Sequence, residues 1–153
     1  MIDYELLRKQ FEALAEGESN SIGLLANLTS LIRQYGKWHW VGFYLVNSDK
    51  NVLELGPFQG PPACMTIPYG RGVCGSAWEL GKTVTVPDVE QFPGHIACST
   101  LSKSEIVVPL KINGTTVAVL DIDSDQIDTF TSHDAAGLEK LCDSVVQFVK
   151  FPI

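Results

Sequence analysis

The chain has 153 residues, 45% of them hydrophobic and 19% charged, and a formal net charge of −7. That length suits one domain with a substantial buried core. The acidic balance argues against a nucleic-acid surface, which needs a basic patch, and weighs against anionic membranes, but it is compatible with a small ligand carrying an ammonium group.

The N-terminus, Met1-Ile2-Asp3-Tyr4-Glu5, lacks the basic start and apolar run of a signal peptide, and no membrane span is legible. A cytoplasmic location is expected, where resting thiols stay reduced. Four cysteines are then poorly explained as a static disulfide framework, which leaves metal binding, catalysis or packing.

Residues 3–16 read as a helix, with Leu7, Phe11 and Leu14 recurring at spacings of four and three and Gly17 as the stop. A second helix starts near Ser19 or Ser21. Leu24, Leu25, Leu28, Leu31, Ile32 and Tyr35 give it a broad apolar face, and Gly36 ends it. Trp38 to Val46 is aromatic and β-branched and predicts a strand. Residues 47–51 form a turn, and Val52 to Leu55 returns as the second strand of a hairpin. Residues 56–62 carry too much Pro and Gly for an ordinary central strand. Met65 to Pro68 predicts a short edge strand, Val73 to Leu80 a short helix stopped by Gly81, and Thr83 to Val86 a short strand.

Pro87 to Lys103 is a long connection of the kind that tends to be functional or disordered, and its Phe92, His95, Ile96 and Cys98 make a solvated linker a poor description. Glu105 to Ile112 and Thr115 to Asp123 form the clearest hairpin, turning at Asn113-Gly114. A last helix begins at Thr131-Ser132-His133-Asp134 with a capping-box pattern, and Leu138, Leu141, Cys142, Val145 and Val149 form its buried stripe. Hairpins make antiparallel neighbours, so the expected fold is α+β: one antiparallel sheet with helices on one side and loops on the other.

Three of the cysteines, Cys64, Cys74 and Cys98, fall in Gly- or Pro-rich settings between Gly60 and Cys98. Thiols on loops can reach solvent, each other and a ligand, so this stretch reads as redox machinery. The reactive species would be a thiolate, favoured by nearby positive charge or helix N-termini, with Arg71 and His95 as candidate neighbours. Packing is the plainer reading of each thiol, and it is preferred for Cys142. A zinc site from Cys64, Cys74, His95 and Cys98 has acceptable ligand types but lacks the short paired spacings of specific zinc motifs, so no metal is expected. Gly70, Gly72 and Gly75 lack the lysine and spacing of a phosphate-binding loop.

Asp121 and Asp123 share one strand face. A two-residue Asn113-Gly114 turn would pair Ile106 with Asp121 and put Glu105 on the opposite face. A three-residue loop, Ile112-Asn113-Gly114, would pair Lys111 with Thr115 and set Glu105 across from Asp121. The second register is preferred because it aligns a mainly apolar face on the other side. It crowds three carboxylates, which raises at least one pKa toward neutrality or calls for a cation. A solvated acidic strand end is the plainer alternative.

These residues carry a resemblance. The chain resembles the free methionine-(R)-sulfoxide reductases, catalytic members of the GAF-domain superfamily. The likeness lies in Trp40-Val41-Gly42-Phe43-Tyr44, Gly56-Pro57-Phe58-Gln59-Gly60-Pro61, Gly70-Arg71-Gly72-Val73-Cys74-Gly75, Pro93-Gly94-His95-Ile96-Ala97-Cys98, Ser104-Glu105-Ile106-Val107-Val108-Pro109-Leu110 and Val119-Leu120-Asp121-Ile122-Asp123-Ser124. The resemblance implies a single GAF domain over residues 1–153, a six-stranded antiparallel sheet with helices packed on one face, and a loop-lidded pocket on the other. It also implies Cys98 as the catalytic thiol, Cys64 as the principal resolving thiol and Cys74 as an auxiliary one. Trp40, Tyr44, Glu105, Asp121 and Asp123 match pocket positions. Free methionine-(R)-sulfoxide is the implied substrate and thioredoxin the implied reductant, with no cofactor. The R preference comes from the resemblance alone, and whether the protein is a homodimer stays open.

The chemistry fits those residue types. Cys98 would attack the sulfoxide sulfur while Glu105 or an aspartate protonates the departing oxygen. Trp40 would pack the methyl and the positive sulfur, and the carboxylates would hold the ammonium. Two other readings use the same residues: a non-catalytic GAF module that binds a small ligand, and a thiol redox sensor.

Overall fold

The computed structural model describes residues 1–99 and 101–153. Among them four α-helices and six strands are formed: α1 Tyr4–Ala15, α2 Ser21–Gly36, β1 Trp40–Asn47, β2 Val52–Gln59, β3 Thr66–Pro68, α3 Gly72–Leu80, β4 Val84–Val86, β5 Ser104–Ile112, β6 Thr115–Ser124 and α4 Ser132–Phe148. The strands make one sheet in the order β3-β2-β1-β6-β5-β4, and every neighbouring pair is antiparallel. The expected α+β architecture with a six-stranded sheet is what forms.

Helices start where side-chain oxygens can receive the otherwise unpaired first-turn N–H groups. Asp3 accepts from the Leu6 N–H, Asn20 from Gly23, and Thr131 with Asp134 completes the capping box of α4. The apolar stripes of α1, α2 and α4 then cover one sheet face. Leu7 and Phe11, Leu25, Leu28 and Ile32, and Leu138, Leu141 and Val145 pack with Val41, Phe43, Ile106, Val108, Leu110, Leu120 and Ile122 in one buried core.

α3 departs from the expectation of helices on one face alone. Its Val73, Cys74 and Ala77 pack against Trp40, Tyr44, Val107 and Val119 on the opposite face, in a second and smaller core. Strand alternation explains how one sheet feeds two cores: residues two apart share a face, so Trp40, Gly42 and Tyr44 look one way while Val41 and Phe43 look the other.

Three boundaries differ from the sequence reading. The first strand begins at Trp40, not Trp38; Lys37 takes a left-handed conformation with φ 56° at the end of α2, and the Trp38 ring lies 5.3 Å from that of Phe130. The second strand runs on to Gln59, through the Gly56-Pro57 pair expected to end it. Two features of the sheet accommodate the proline. The outer neighbour β3 reaches only as far as Glu54, so its side of β2 is free at Pro57. On the inner side a bulge between Gly42↔Phe58 and Tyr44↔Leu55 sets Gly56 and Pro57 against Phe43.

The third correction concerns the last hairpin. Ile112 pairs with Thr115, so Asn113 and Gly114, both at positive φ (51° and 80°), form a two-residue turn. A bulge then inserts Val117: Lys111 pairs with Thr116 but Leu110 with Ala118. The two-residue register holds for these first two pairs, but neither register read from the sequence reaches the acids. Glu105 stands across from Asp123, and Asp121 across from Val107. The reason is apolar matching. The extra residue aligns Ile106 with Ile122, Val108 with Leu120 and Leu110 with Ala118, all of them in the larger core. The shift from the preferred register is two residues, an even number, so all three acids still face the same side.

Candidate active site

The acids stand on two adjacent strands, β5 and β6, beside β1, which presents aromatic rings. One cross-strand row reads Trp40, Asp123, Glu105, Val86 across β1, β6, β5 and β4; the next begins Gly42, Asp121, Val107, Val84. Gly42 has a spatial reason. A Cβ there would lie 2.5 Å from the Phe58 Cβ and 2.5 Å from the Trp40 ring. The bare backbone lets the Trp40 ring lie flat, stacked on Phe58 at 5.3 Å and on Tyr44 at 6.1 Å. These rings form the floor of a cavity.

The floor also holds one of the loops above it. The Trp40 indole Nε1–H donates to the Pro61 carbonyl at 3.0 Å, and the Tyr44 hydroxyl donates to the Cys64 carbonyl at 2.8 Å. Gly60, at φ 133°, makes the approach possible, since a Cβ there would sit 2.7 Å from Trp40 Cδ1. The loop carrying Cys64 is thus fixed by the two aromatic side chains the sequence marked as pocket residues.

The other loop carries residues 87–99 and 101–103. Its ends are tied together: the Val89 N–H donates to the Lys103 carbonyl at 2.9 Å, and the Lys103 N–H to the Ser124 carbonyl at 2.8 Å. Phe92 and Ile96 pack into the smaller core, and Ser102 Oγ lies 3.2 Å from His39 Nε2. At its tip Cys98 is joined to Cys64 by a disulfide, with Cα atoms 5.4 Å apart.

Beneath the disulfide is a cavity of about 40 Å³, lined among others by Trp40, Tyr44, Cys74, Cys98, Glu105, Asp121 and Asp123. The structure therefore gathers all the sequence-predicted site residues but Cys64 along its wall, with Cys64 bonded to a wall residue. Ser99, Ser102, Ile96 and Ala63 line it too. Room of that size admits only a few waters, at roughly 10–15 Å³ each.

Cys74 does not sit on an accessible loop, as its glycine-rich context suggested. It lies in the first turn of α3, is 4% exposed, and carries a free thiol. Cys142 is also free and buried, on α4 in the opposite core. Arg71, the residue before α3, and His95 both line the cavity. The His95 Nε2 is 3.7 Å from Glu105 Oε1.

The electrostatics follow from burial. Glu105 and Asp121 are each 6% exposed and Asp123 is half-buried. Loss of water pushes the Glu105 carboxyl up to about 8, with the neighbouring Asp123 charge adding to the rise. Burial likewise holds Asp121 well above the usual carboxylate range, reinforced by Glu105, and Asp123 well above it, reinforced by Asp121. The Cys74 thiol is raised by burial and then by Asp121, and the His95 imidazole is lowered by burial. Near neutrality Glu105 therefore keeps its proton. Asp121 Oδ1 is buried and has no hydrogen-bond partner, which is costly for an oxygen cut off from water.

Two contributors went unread in the sequence. Gly42 was legible, being the one small residue on the Trp40-x-Gly42-x-Tyr44 face. Phe58 was hidden by the expectation that the second strand ended before it.

Comparison with known proteins adds four findings. A GAF-domain family model matches residues 19–150. GAF domain-containing protein A of Dictyostelium discoideum is 54% identical over 138 residues, covering 90% of this chain and 87% of the relative. The free methionine-R-sulfoxide reductase of Escherichia coli strain K12 is 45% identical over 139 residues, covering 90% of this chain and 83% of the relative. Among solved structures, the free methionine-R-sulfoxide reductase of Neisseria meningitidis in complex with its substrate matches with a TM-score of 0.93 at 45% identity, over 95% of this chain and 87% of that one.

Proposed function

The chain belongs to the GAF domains and, within them, to the free methionine-R-sulfoxide reductases, and we propose that it carries out that reaction with Cys98 as the nucleophile. It is an oxidoreductase that converts free L-methionine-(R)-sulfoxide to L-methionine. The observation that carries the residue assignment is the Cys64–Cys98 disulfide at a cavity walled by Glu105, Asp121 and Asp123.

In the reduced enzyme the Cys98 thiolate attacks the electrophilic sulfur of the sulfoxide. Glu105, still protonated near neutrality, gives its proton to the sulfoxide oxygen. The protonated oxygen passes from the substrate sulfur to Cys98 Sγ as the bond between the two sulfurs breaks, so methionine departs and Cys98 is left as a sulfenic acid. The Cys64 thiol displaces that oxygen as water and leaves the disulfide. Two cysteine thiols and one sulfoxide thus give one methionine, one water and one disulfide. Thioredoxin supplies the dithiol that reduces the bond by thiol exchange. The protein itself needs no cofactor, and Cys74, close to the acids, serves as an auxiliary thiol.

Each end of the substrate meets a complementary surface. The methyl-bearing sulfur packs on the Trp40 and Tyr44 rings. The ammonium is held by Asp121 and Asp123, where Asp121 Oδ1 lacks a partner. The carboxylate faces the start of α3, whose Gly72, Val73 and Cys74 N–H groups precede the first helical bond, from Gly75 to the Arg71 carbonyl. A protein-bound methionine has neither terminal charge and is refused. A whole amino acid cannot enter the cavity under the closed disulfide, so the tied loop 87–103 opens on reduction and closes over the substrate. Residues 1–153 act as one GAF domain in the cytoplasm, and the site is built within one chain, so a homodimer is not needed for chemistry.

The test is NADPH consumption with thioredoxin, thioredoxin reductase and free methionine-(R)-sulfoxide. Cys98→Ser should abolish methionine release. Cys64→Ser should release about one methionine per chain and then recycle poorly. Turnover in Cys98→Ser would refute the nucleophile, and undiminished steady-state turnover in Cys64→Ser would refute the resolver.

A further inference from the structure

The redox cycle turns on Cys98 and Cys64, and the auxiliary thiol of Cys74 is pressed against the acids. The Cys74 Sγ and one carboxylate oxygen from each of Glu105 and Asp121 lie within 4.8 Å of one another, and all three residues are buried. Independently, Asp121 is 6% exposed and its Oδ1 is buried without a partner. His95 brings an imidazole nitrogen to 3.7 Å from Glu105 Oε1.

We propose that Cys74, Glu105, Asp121 and His95 form a binding site for a thiophilic divalent cation, of which zinc is the natural example. The thiol separates this from ammonium binding: carboxylates alone suffice for an ammonium, whereas one sulfur, one imidazole and two carboxylates are a zinc donor set. Calcium and magnesium take oxygen donors and are disfavoured by the same thiol. A tetrahedral zinc with bonds of about 2.0–2.3 Å sets its ligands roughly 3.3–3.8 Å apart. The Cys74, Glu105 and Asp121 donors, within 4.8 Å of one another, must contract by about 1 Å, within the reach of side-chain torsions, and His95 already stands at that spacing from Glu105. The donors come from α3, β5, β6 and the long loop, which is why no short ligand spacing announces them in the sequence. The constellation also differs from the four residues weighed there, because Cys64 and Cys98 are paired with each other.

Because His95 rides on the loop that carries Cys98, the cation ties that loop to the sheet. It also occupies carboxylates assigned to substrate. The metal is therefore an inhibitor competing with methionine sulfoxide, a consequence that rests on the reductase reading, whereas the binding itself does not.

Cadmium is the probe, because its bond to thiolate gives an ultraviolet charge-transfer band. Titration is done on the disulfide form, whose free thiols are Cys74 and Cys142. The expected result is one cadmium per chain, a band retained in Cys142→Ser and lost in Cys74→Ser, and binding weakened at least about tenfold in Asp121→Asn. Zinc should displace the cadmium and raise the unfolding midpoint of the wild type but not of Asp121→Asn, a readout that stands even if Cys74→Ser fails to fold. No band in the wild type, a band surviving Cys74→Ser, or unchanged binding in Asp121→Asn overturns the site. Sulfoxide turnover in metal-free buffer is measured alongside: its presence without cadmium binding strikes the metal site alone, and its absence strikes the reductase reading alone.

Discussion

Replacing Glu105 by Gln removes one titrating group from the buried acidic row and should flatten the pH dependence of stability. The folded protein holds the Glu105 proton up to about pH 8, whereas an unfolded chain releases it near the ordinary value of 4.5. Between those values the folded state binds more protons, so this group's contribution to stability falls as pH rises. From about pH 6.5 to about pH 8.5 the loss comes to about 2 kcal/mol, or roughly 4–8 °C in unfolding midpoint for a chain of this length. His39 and His95, both lowered by burial, act in the opposite direction, and the raised Cys74 and Cys142 thiols act in the same one. His39, His95 and Cys142 draw nothing from Glu105 and cancel in the difference, whereas Cys74 and Asp121, raised in part by Glu105, relax in the variant and add to the difference in the same direction. The assay is urea unfolding of the disulfide form of wild type and Glu105→Gln at both pH values. Glu105→Gln should lose about 2 kcal/mol less than wild type over that interval. Equal losses in the two proteins, or a wild type that gains stability relative to the variant as pH rises, would refute the reasoning. The same variant, lacking its proton donor, should slow methionine release by about 10²- to 10⁴-fold.

Other consequences follow from the same geometry. N-acetyl-methionine sulfoxide, which lacks the ammonium, should lose roughly 10- to 150-fold in kcat/KM, matching about 1.5–3 kcal/mol for a hydrogen bond to a charged group; comparable turnover of both compounds would remove Asp121 and Asp123 from ammonium binding. Gly42→Ala places a Cβ 2.5 Å from the Trp40 ring and should raise KM while costing about 1–3 kcal/mol of stability, read by kinetics and thermal melts. Thr131→Ala, at a residue that does not line the cavity, removes the capping hydroxyl of α4 and should cost about 1 kcal/mol with kcat unchanged.

How far the sequence could be read depended on whether a feature is local. Helix starts at Asp3, Asn20 and Thr131 depend on neighbours within three residues, and a strand's period of two suffices to put Trp40 with Tyr44 and Asp121 with Asp123. The register of the last hairpin is not local. Its turn alone favours one pairing, and a bulge at Val117, required by the apolar partners of Ile106 and Val108, imposes another. Pro57 inside β2 is tolerated because β3 is too short to cover it, a fact about a different segment. Cys74 looked accessible among glycines, yet α3 folds onto the pocket face and buries it.

The hydrogen bonds from Trp40 to Pro61 and from Tyr44 to Cys64 limit how this protein can be redesigned. The rings that would judge an incoming molecule also brace the strap bearing the second sulfur. Widening the cavity by trimming either ring would loosen that strap as well, so a broader choice of sulfoxides would come with slower regeneration. Engineering effort is better directed at the acidic wall, whose side chains do not carry the strap.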